Sequence, residues 1–185
     1  SHNGAWFFLA QSWFELGQFN RAKSALAKIE GTSIWALARL LLLNDIDIRG
    51  NNIDTAIERF HAYVIGQPEN GYLLKELGDL YRRNGQYAKA RDSYLRAIET
   101  DFDTAYLHRN LAISYERLDE EEQAELHFKF ALARDPDDPL TLNYLGYWWA
   151  ESGRHLTQAI ELIEQAVRLR PNSGFFVDSL GWVHY

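Results

Sequence analysis

The residues able to do chemistry are few and scattered in this sequence. Cysteine is absent from the 185 residues, so disulfides, thiolate metal sites and cysteine nucleophiles are excluded, while the redox compartment stays open. Phosphate-binding Gly-rich loops, Gly-x-Ser-x-Gly elbows and His-Glu-x-x-His pairs are also missing. We therefore predict that the chain is not an enzyme and uses no cofactor or metal.

The six histidines could in principle bind a metal, but they are spread along the chain. We interpret His61, His127 and His155 as packing or surface residues, and also His108, which stands in an apolar stripe. The acidic run at residues 119–122 could bind a cation. We favour a structural role, because the run fills a turn and the first turn of a helix, where carboxylates complement the helix dipole.

The composition predicts a folded protein that neither binds nucleic acid nor spans a membrane. Hydrophobic residues make up 46% of the chain, and aromatic residues 14%, which is enough to fill a core. The net charge of -7 disfavours binding to phosphates, which needs clustered Lys and Arg. No apolar run approaches the ~18 residues of a membrane span. We interpret Ser1 and His2 as the remainder of a cleaved tag, and expect a longer parent.

The elements that position these residues recur with a period of 34. The sequence divides into blocks at residues 3–36, 37–70, 71–104, 105–138 and 139–173, and residues 174–185 begin a sixth. Only the fifth block contains an extra residue, near Arg154 and His155. An ordinary helical bundle is the alternative, but a bundle has no reason to keep one spacing.

Small, large and aromatic residues recur in phase within the blocks. A Leu followed by a small residue occurs at Leu9-Ala10, Leu77-Gly78, Leu111-Ala112, Leu145-Gly146 and Leu180-Gly181. An aromatic follows three residues later at Trp13, Tyr81, Tyr115 and Trp149. An alanine near the twentieth position occurs at Ala22, Ala56, Ala90, Ala124 and Ala159. This spacing predicts two amphipathic helices in each block, with small residues where their backbones approach closely.

Residues typical of helix ends stand between these predicted helices. Glycines suited to a left-handed C-terminal position are Gly17, Gly85 and Gly153. Predicted N-caps are Ser33, Asn70, Asp103, Asp138 and Ser173, and Pro139 directly follows one of them. Each block is therefore predicted to be a helical hairpin.

The pattern resembles the tetratricopeptide repeat family over residues 3–185. The resemblance implies an all-α, right-handed superhelical solenoid of antiparallel helix hairpins, with five repeats and the first helix of a sixth, in one domain. The second block departs from the family pattern at Asn44, Asp47 and Tyr63, so we expect its hairpin to be the least regular.

Family geometry implies that the first helix of each repeat faces a concave groove. The predicted groove residues are Phe7, Gln11, Phe14, Leu41, Asp45, Tyr72, Lys75, Asp79, Arg82, Arg83, Tyr106, Arg109, Asn110, Ile113, Arg117, Asn143, Tyr147, Asp178 and Trp182. The same positions also include Glu15, Ile48, Arg49, Glu116, Leu140, Ala150, Glu151 and Phe175. Aromatics and arginines anchor many protein interfaces.

The resemblance implies a protein-interaction scaffold or adaptor that binds a peptide or a partner protein in this groove. Four arginines gather in the central repeats, so we expect an acidic or carboxylate group on the partner. The alternative is a solvated inner face, neutralised by Asp45, Asp79 and Glu116. One subfamily binds carboxylate tails through five Lys, Asn and Arg residues; only Lys75 and Asn110 match here, which argues against that activity.

The C-terminal part of the sequence suggests a second function and a cellular location. The last helix has no apolar cover over Val177, Leu180 and Val183, so we expect the parent protein to continue beyond residue 185. The alternative function is a homo-oligomeric structural module that associates through the open ends of the solenoid. The runs 142–147, 159–163, 170–172 and 178–182 resemble bacterial envelope tetratricopeptide proteins, some of them lipoproteins. We therefore favour a bacterial periplasmic or envelope location over the cytoplasm.

Overall fold

The computed structural model of the protein describes residues 2–31 and 34–185, and every regular element in these ranges is an α-helix. The helices are α1 (His2–Glu15), α2 (Phe19–Leu26), α3 (Ala36–Arg49), α4 (Ile53–Ile65), α5 (Gly71–Arg83), α6 (Tyr87–Glu99), α7 (Ala105–Glu116), α8 (Glu121–Arg134), α9 (Pro139–Glu151), α10 (Leu156–Leu169) and α11 (Gly174–Val183). Across the described ranges, no helix is long and apolar enough to cross a membrane.

The chain divides into two compact units, Ser1–Pro68 and Glu69–Tyr185. The first unit contains α1 to α4, and the second contains α5 to α11. Within the units, neighbouring helices pack as hairpins, such as α1 with α2, α5 with α6, α7 with α8 and α9 with α10. The predicted all-α fold of helical hairpins is thereby confirmed, whereas the repeat boundaries and the single solenoid over residues 3–185 stay predictions.

Glycines end three of the first helices, as predicted. Gly17, Gly85 and Gly153 have φ angles of 69°, 71° and 67°. This left-handed conformation is costly for residues with a Cβ atom and lets the chain turn directly into the next helix. His155, beside the predicted insertion, also has a positive φ of 47° and stands at the N-cap of α10.

Two predicted N-caps are confirmed by their hydrogen bonds. The Asn70 side chain accepts from the backbone N–H of Leu73 at 3.2 Å at the start of α5. The Asp138 carboxylate accepts from the N–H of Leu140 at 3.3 Å and of Thr141 at 3.2 Å at the start of α9. Each bond satisfies an amide that has no partner within its own helix.

The other predicted caps have different outcomes. The prediction for Asp103 is wrong, because Thr104 is the N-cap of α7 and accepts from Leu107 N–H at 3.2 Å. Asp103 instead pairs with side chains of α7 and α8. Ser173 occupies the N-cap position of α11, but its side chain makes no capping bond. Ser33 lies outside the described residues.

Small residues allow close helix contacts in the second unit. A Cβ atom added to Gly78 would lie 2.5 Å from the Tyr94 ring, and one added to Gly146 would lie 2.7 Å from the Ala159 carbonyl oxygen. Such contacts are far inside van der Waals distance, so only glycine fits there. Gly181 occupies the corresponding position in α11, where an added Cβ would meet nothing within 4 Å.

The second block, whose hairpin was expected to be the least regular, contributes Asp47 to a buried cluster of charges in the first unit. Asp47 is only 1% exposed, and its carboxylate bonds to Lys23 and Arg59, each at 2.6 Å. Burial alone would raise the pKa of Asp47, but these two cations outweigh burial and lower it. Arg59 also reaches Asn44 at 3.4 Å. Two of the three departures from the family pattern, Asn44 and Asp47, thus have partners on α2 or α4.

Candidate partner-binding site

In the first unit, the predicted groove residues differ in exposure. Exposed or half-buried side chains are Phe7, Gln11, Leu41 and Asp45. Phe14 was predicted to face a partner, but it is 6% exposed and belongs to the core. Arg49 covers its ring at 4.1 Å. Phe7 packs on Trp35 with ring centroids 5.3 Å apart, so this aromatic pair stabilises the unit itself.

In the second unit, Asp79 is the centre of a polar cluster on α5. Its carboxylate is buried and accepts from the Tyr94 hydroxyl at 2.7 Å and from the Tyr106 hydroxyl at 2.8 Å. Lys75 Nζ lies 3.1 Å from the same carboxylate and 2.7 Å from Glu76. Asp79 therefore has its partners within the unit. The sequence predicted that Asp79 would face a ligand, but its carboxylate is already bonded.

The charges of this cluster stabilise one another. Burial lowers the pKa of Lys75, but the bonds to Glu76 and Asp79 outweigh burial, so the pKa is raised. Burial, and then the Asp79 charge, raise the pKa of Tyr94, which stays a neutral donor. Lys75 also lies 4.8 Å from the centroid of the Tyr106 ring, within reach of a cation–π contact.

Most of the predicted arginine anchors are already engaged within the chain. Arg109 pairs with Asp138, the N-cap of α9. Arg117 Nε lies 3.2 Å from Glu116. Arg82 interacts with the Tyr94 hydroxyl and, through its charge, with Asp79. Arg83 is exposed.

The remaining predicted residues of α5 and α7 have internal roles. Tyr72 is half-buried, with its ring against Phe102 at 6.3 Å. Asn110 is 3% exposed and donates from Nδ2 to the Tyr106 carbonyl oxygen at 2.9 Å. With both Lys75 and Asn110 bonded internally, the structure does not present the two residues that matched a carboxylate-binding site.

An open cavity of about 600 Å³ lies farther along the second unit. Predicted groove residues that line it are Arg82, Ile113, Arg117, Asn143, Tyr147, Asp178 and Trp182. Other lining residues are Tyr87, Glu116, Phe128, Tyr144, Trp148, Glu151, Phe175 and Ser179. The first helices α5, α7, α9 and α11 supply most of these side chains, so the structure concentrates part of the predicted site here.

Helical spacing aligns the polar and aromatic side chains of this cavity. Asn143, Tyr147 and Glu151 follow one another at intervals of four residues on α9, and Asp178 precedes Trp182 by four on α11. The rings of Tyr147 and Trp182 lie 4.7 Å apart with an interplanar angle of 31°. The two helices thereby share an aromatic surface with an acidic residue on each helix.

Acceptor groups in the cavity lack donors. Asn143 is 2% exposed, and its Oδ1 atom has no hydrogen-bond partner among the described residues. In the same part of the chain, neither Glu151 nor Asp178 forms an ion pair. Burial is the main cause of a raised pKa of Glu116; Arg117 opposes the shift, and the charge of Glu151 adds to it.

Sequence reasoning missed several aromatic residues of the cavity. Trp148 lies one position beyond the expected groove position, packs on Phe128 at 6.0 Å and carries the Arg154 guanidinium at 4.6 Å. Tyr144 lies 6.5 Å from Phe175 across α9 and α11. The cluster of Tyr and Trp at residues 144–149 was the available signal.

A second missed feature is a buried histidine pair between α7 and α8. The Nδ1 atoms of His108 and His127 are 2.8 Å apart, and the Tyr115 ring stacks on His127 at 5.4 Å. Burial is the main cause of a lowered pKa in both histidines, and the pKa of His127 falls to about 4. The pair is therefore neutral near pH 7 and has a packing role, as the sequence indicated. In the described residues, no group of three His, Cys, Asp or Glu is arranged to hold a metal ion.

These features define a helical-repeat protein with an aromatic cavity formed mainly by its first helices. Residues 78–119 match a family described as TPR repeat, and residues 109–174 match one described as tetratricopeptide repeat. The photosystem I assembly protein Ycf3 of Synechococcus sp. (strain CC9605) is 31% identical over 136 residues, which are 65% of this chain and 78% of that protein. The chain belongs to the tetratricopeptide repeat family, a fold that serves protein interaction.

Further similarities extend the comparison. A TPR repeat-containing protein of Pseudomonas aeruginosa, PA4667, is 29% identical over 147 residues, covering 76% of this chain but only 24% of its own length. A tetratricopeptide repeat protein from Parabacteroides merdae has a TM-score of 0.80, 14% identity and coverage of 99% and 72% of the two chains. The first TPR of Spaghetti (RPAP3), bound to the HSP90 peptide SRMEEVD, has a TM-score of 0.57, 25% identity and coverage of 62% and 90%.

Proposed function

We propose that the chain is a protein-binding scaffold that holds an extended segment of a partner protein in the cavity of the second unit. The cavity itself supports this proposal, since its volume of about 600 Å³ is in the range of binding sites and exceeds ordinary packing defects. Tyr147 and Trp182 offer large rigid surfaces to a partner. We propose an extended segment because the cavity is open and is lined by the first helices of four successive repeats, α5, α7, α9 and α11.

The relatives support the same class of function. One relative is named for the assembly of photosystem I, and the neighbouring structure of Spaghetti contains a bound HSP90 peptide. Both names describe association with other polypeptides. We carry this class, and neither partner, to the present chain, because the matching residues of the carboxylate-binding subfamily are engaged internally here.

Affinity capture from a cell extract tests the proposal. Immobilised wild-type chain is compared with the double variant Tyr147→Ala/Trp182→Ala, and captured proteins are identified by mass spectrometry. Removing two aromatic anchors should reduce capture of a specific partner by at least about tenfold, since such residues each contribute about 2 kcal/mol at an interface. Trp6→Ala is the control, because Trp6 is a partly exposed aromatic in the other unit. Equal capture by all three proteins would exclude the cavity as the binding site.

Self-association is the second proposed function. The last helix exposes Val177 and Phe175, which are 46% and 53% exposed, so α11 presents apolar surface to another molecule. Sedimentation at several concentrations tests it. A mass that stays monomeric throughout would remove this proposal, whereas a Val177→Glu variant that dissociates a dimer would support it.

The bacterial envelope remains the proposed setting for this scaffold. It rests on the C-terminal runs that resemble envelope proteins of the family. Fractionation of cells that express the protein, with periplasmic and cytoplasmic marker proteins followed in parallel, tests the location. Recovery with the cytoplasmic marker alone would reject it.

A further inference from the structure

We infer that the cavity of the second unit selects a partner segment by an arginine side chain, placed against Tyr147 and Trp182 and bonded by Asn143, Glu151 and Asp178. The inference rests on the proposed function, because it names the chemistry of the segment that the cavity binds. It also reverses the expectation of an acidic partner. The reason is the set of polar groups that the structure leaves without partners.

The first argument comes from the acceptors. Asn143 is almost completely buried, yet its Oδ1 atom has no donor within the described residues. An unsatisfied buried carbonyl is costly, so a ligand N–H group that displaces the side chains covering Oδ1 would bind favourably there. Glu151 and Asp178 add two carboxylates without ion pairs in that part of the chain. All three residues line the same cavity: Asn143 supplies a buried acceptor without a donor, and the exposed carboxylates of Glu151 and Asp178 would attract a positively charged donor.

The second argument comes from the aromatic side chains. A guanidinium is planar and stacks on Tyr and Trp rings, while its five N–H groups remain free to donate at the edge. The protein itself uses this contact, since Arg154 lies 4.6 Å from the Trp148 ring centroid and Arg21 lies 4.8 Å from that of Trp13. A lysine has three donors and no planar surface, so arginine fits the acceptors and the rings better than lysine does.

The positive charges that face the cavity do not cancel this preference. Arg117 lies on α7 and is paired with Glu116 on the same helix. Arg82 lies on α5 and interacts with Tyr94 and Asp79. Arg82 Nε is buried without an acceptor among the described residues. Because this N–H group is buried, it is kept away from a bound arginine.

Degenerate peptide pools test this chemistry directly, because they require no identified partner. Fluorescein-labelled, amidated decapeptide pools carry arginine, citrulline, glutamate or leucine at a fixed central position and random residues elsewhere. Binding to the intact chain is followed by fluorescence polarisation. Citrulline has the shape of arginine without its charge, so the ratio of these two pools isolates the contribution of the guanidinium charge.

Two double variants separate the site from the general field of the protein. Glu151→Gln/Asp178→Asn removes the cavity carboxylates. Glu122→Gln/Glu161→Gln removes the same charge from exposed side chains of the second unit that do not line the cavity. Circular dichroism checks that both variants fold as the wild type does.

We expect the arginine pool to bind at least about fivefold more tightly than the citrulline pool, and the glutamate pool to bind least. This preference should disappear in Glu151→Gln/Asp178→Asn and persist in the control variant. Equal binding of the arginine and citrulline pools, or a preference for glutamate, would overturn the inference. The same holds if the preference survives loss of the two carboxylates.

The proposed function can survive when the inference fails. If the leucine pool binds best and Tyr147→Ala abolishes that binding, the cavity is a peptide site with a different specificity. If no pool binds, or if binding is unaffected by Tyr147→Ala, both the arginine inference and the cavity site are rejected.

Discussion

In α5 and α7, the polar side chains of the predicted groove bond to one another, whereas in α9 and α11 comparable side chains are left without partners. Asp79 has two tyrosine hydroxyls and Lys75 around it, but Asp178 has no ion pair within the described residues. The groove positions thus stabilise the first of these regions internally, and in the second they include polar groups without an internal partner. Family geometry locates a groove, but bonding within the chain decides which part of it is available.

The largest contrast between these regions is expected in the unfolding free energies of two single variants, Asp79→Ala and Asp178→Ala. Asp79→Ala leaves the Tyr94 and Tyr106 hydroxyls without their acceptor and removes one of the two carboxylates bonded to Lys75, and we expect a loss of about 3 kcal/mol of unfolding free energy. Asp178→Ala should change it by less than about 0.5 kcal/mol, because this side chain is exposed. Urea denaturation measures both. Similar losses of unfolding free energy in the two variants would contradict the difference between the two regions.

A smaller contrast is expected between two glycines at the same repeat position. Gly146→Ala in α9 should cost about 2 kcal/mol, because the new methyl group would overlap the Ala159 carbonyl and Ile163. Gly181→Ala in α11 meets no atom within 4 Å and should be neutral, or stabilising by up to about 1 kcal/mol. Thermal unfolding of both variants provides the measurement. A loss at Gly181 as large as that at Gly146 would show that α11 is packed more tightly than described.

Such contacts show how far the sequence could predict the fold. The Leu-Gly and Leu-Ala pairs indicated close helix contacts because they recur at one spacing, and the glycine in α9 lies against the following helix as that spacing requires. The prediction of an N-cap at Asp103 was wrong because Thr104, the next residue, can also cap a helix and lies in the required position. Local patterns therefore predicted the elements, with errors of one residue at helix ends.

The site was less predictable, because it depends on partners far apart in the chain. Arg109 looked free in the sequence, but its partner Asp138 lies 29 residues later. Asp79 is satisfied by Tyr94 and Tyr106, which lie 15 and 27 residues away. No local pattern reports such pairs. Tyr147 was identified by its position, whereas its value for binding depends on which neighbours are already bonded.

Acidification should act on the α7–α8 hairpin, because its buried histidines have lowered pKa values, while His155 and His184 of the later helices are exposed. A base whose folded pKa lies below its unfolded value of 6.5 stabilises the fold above that pH, and its contribution is lost as pH falls towards about 4. We expect the unfolding free energy to fall by on the order of 1–2 kcal/mol more in wild type than in His127→Phe between about pH 7 and 4.5. Urea titrations at each pH measure the difference. Identical slopes would indicate that protonation of the pair is accommodated without loss.

The smallest effect is expected for Lys75→Gln on peptide binding. Since Lys75 is held by Glu76 and Asp79, its loss should change the affinity of the arginine pool by less than about twofold, even if stability falls slightly. Fluorescence polarisation on the folded variant tests this. A much larger decrease would extend the binding site into α5 and weaken the contrast between the two regions.

Asp138 also has a consequence for local opening of the second unit. The same carboxylate bonds to two amides at the start of α9 and to Arg109 on α7. Helix ends usually fray independently, but fraying here would break an ion pair to another hairpin at the same time. The amides of Leu140 and Thr141 should therefore exchange hydrogen at a rate set by the α7 hairpin. A helix end that opens only together with its neighbour would keep Asn143 and Tyr147, one and two turns beyond it, fixed in place while the cavity is empty.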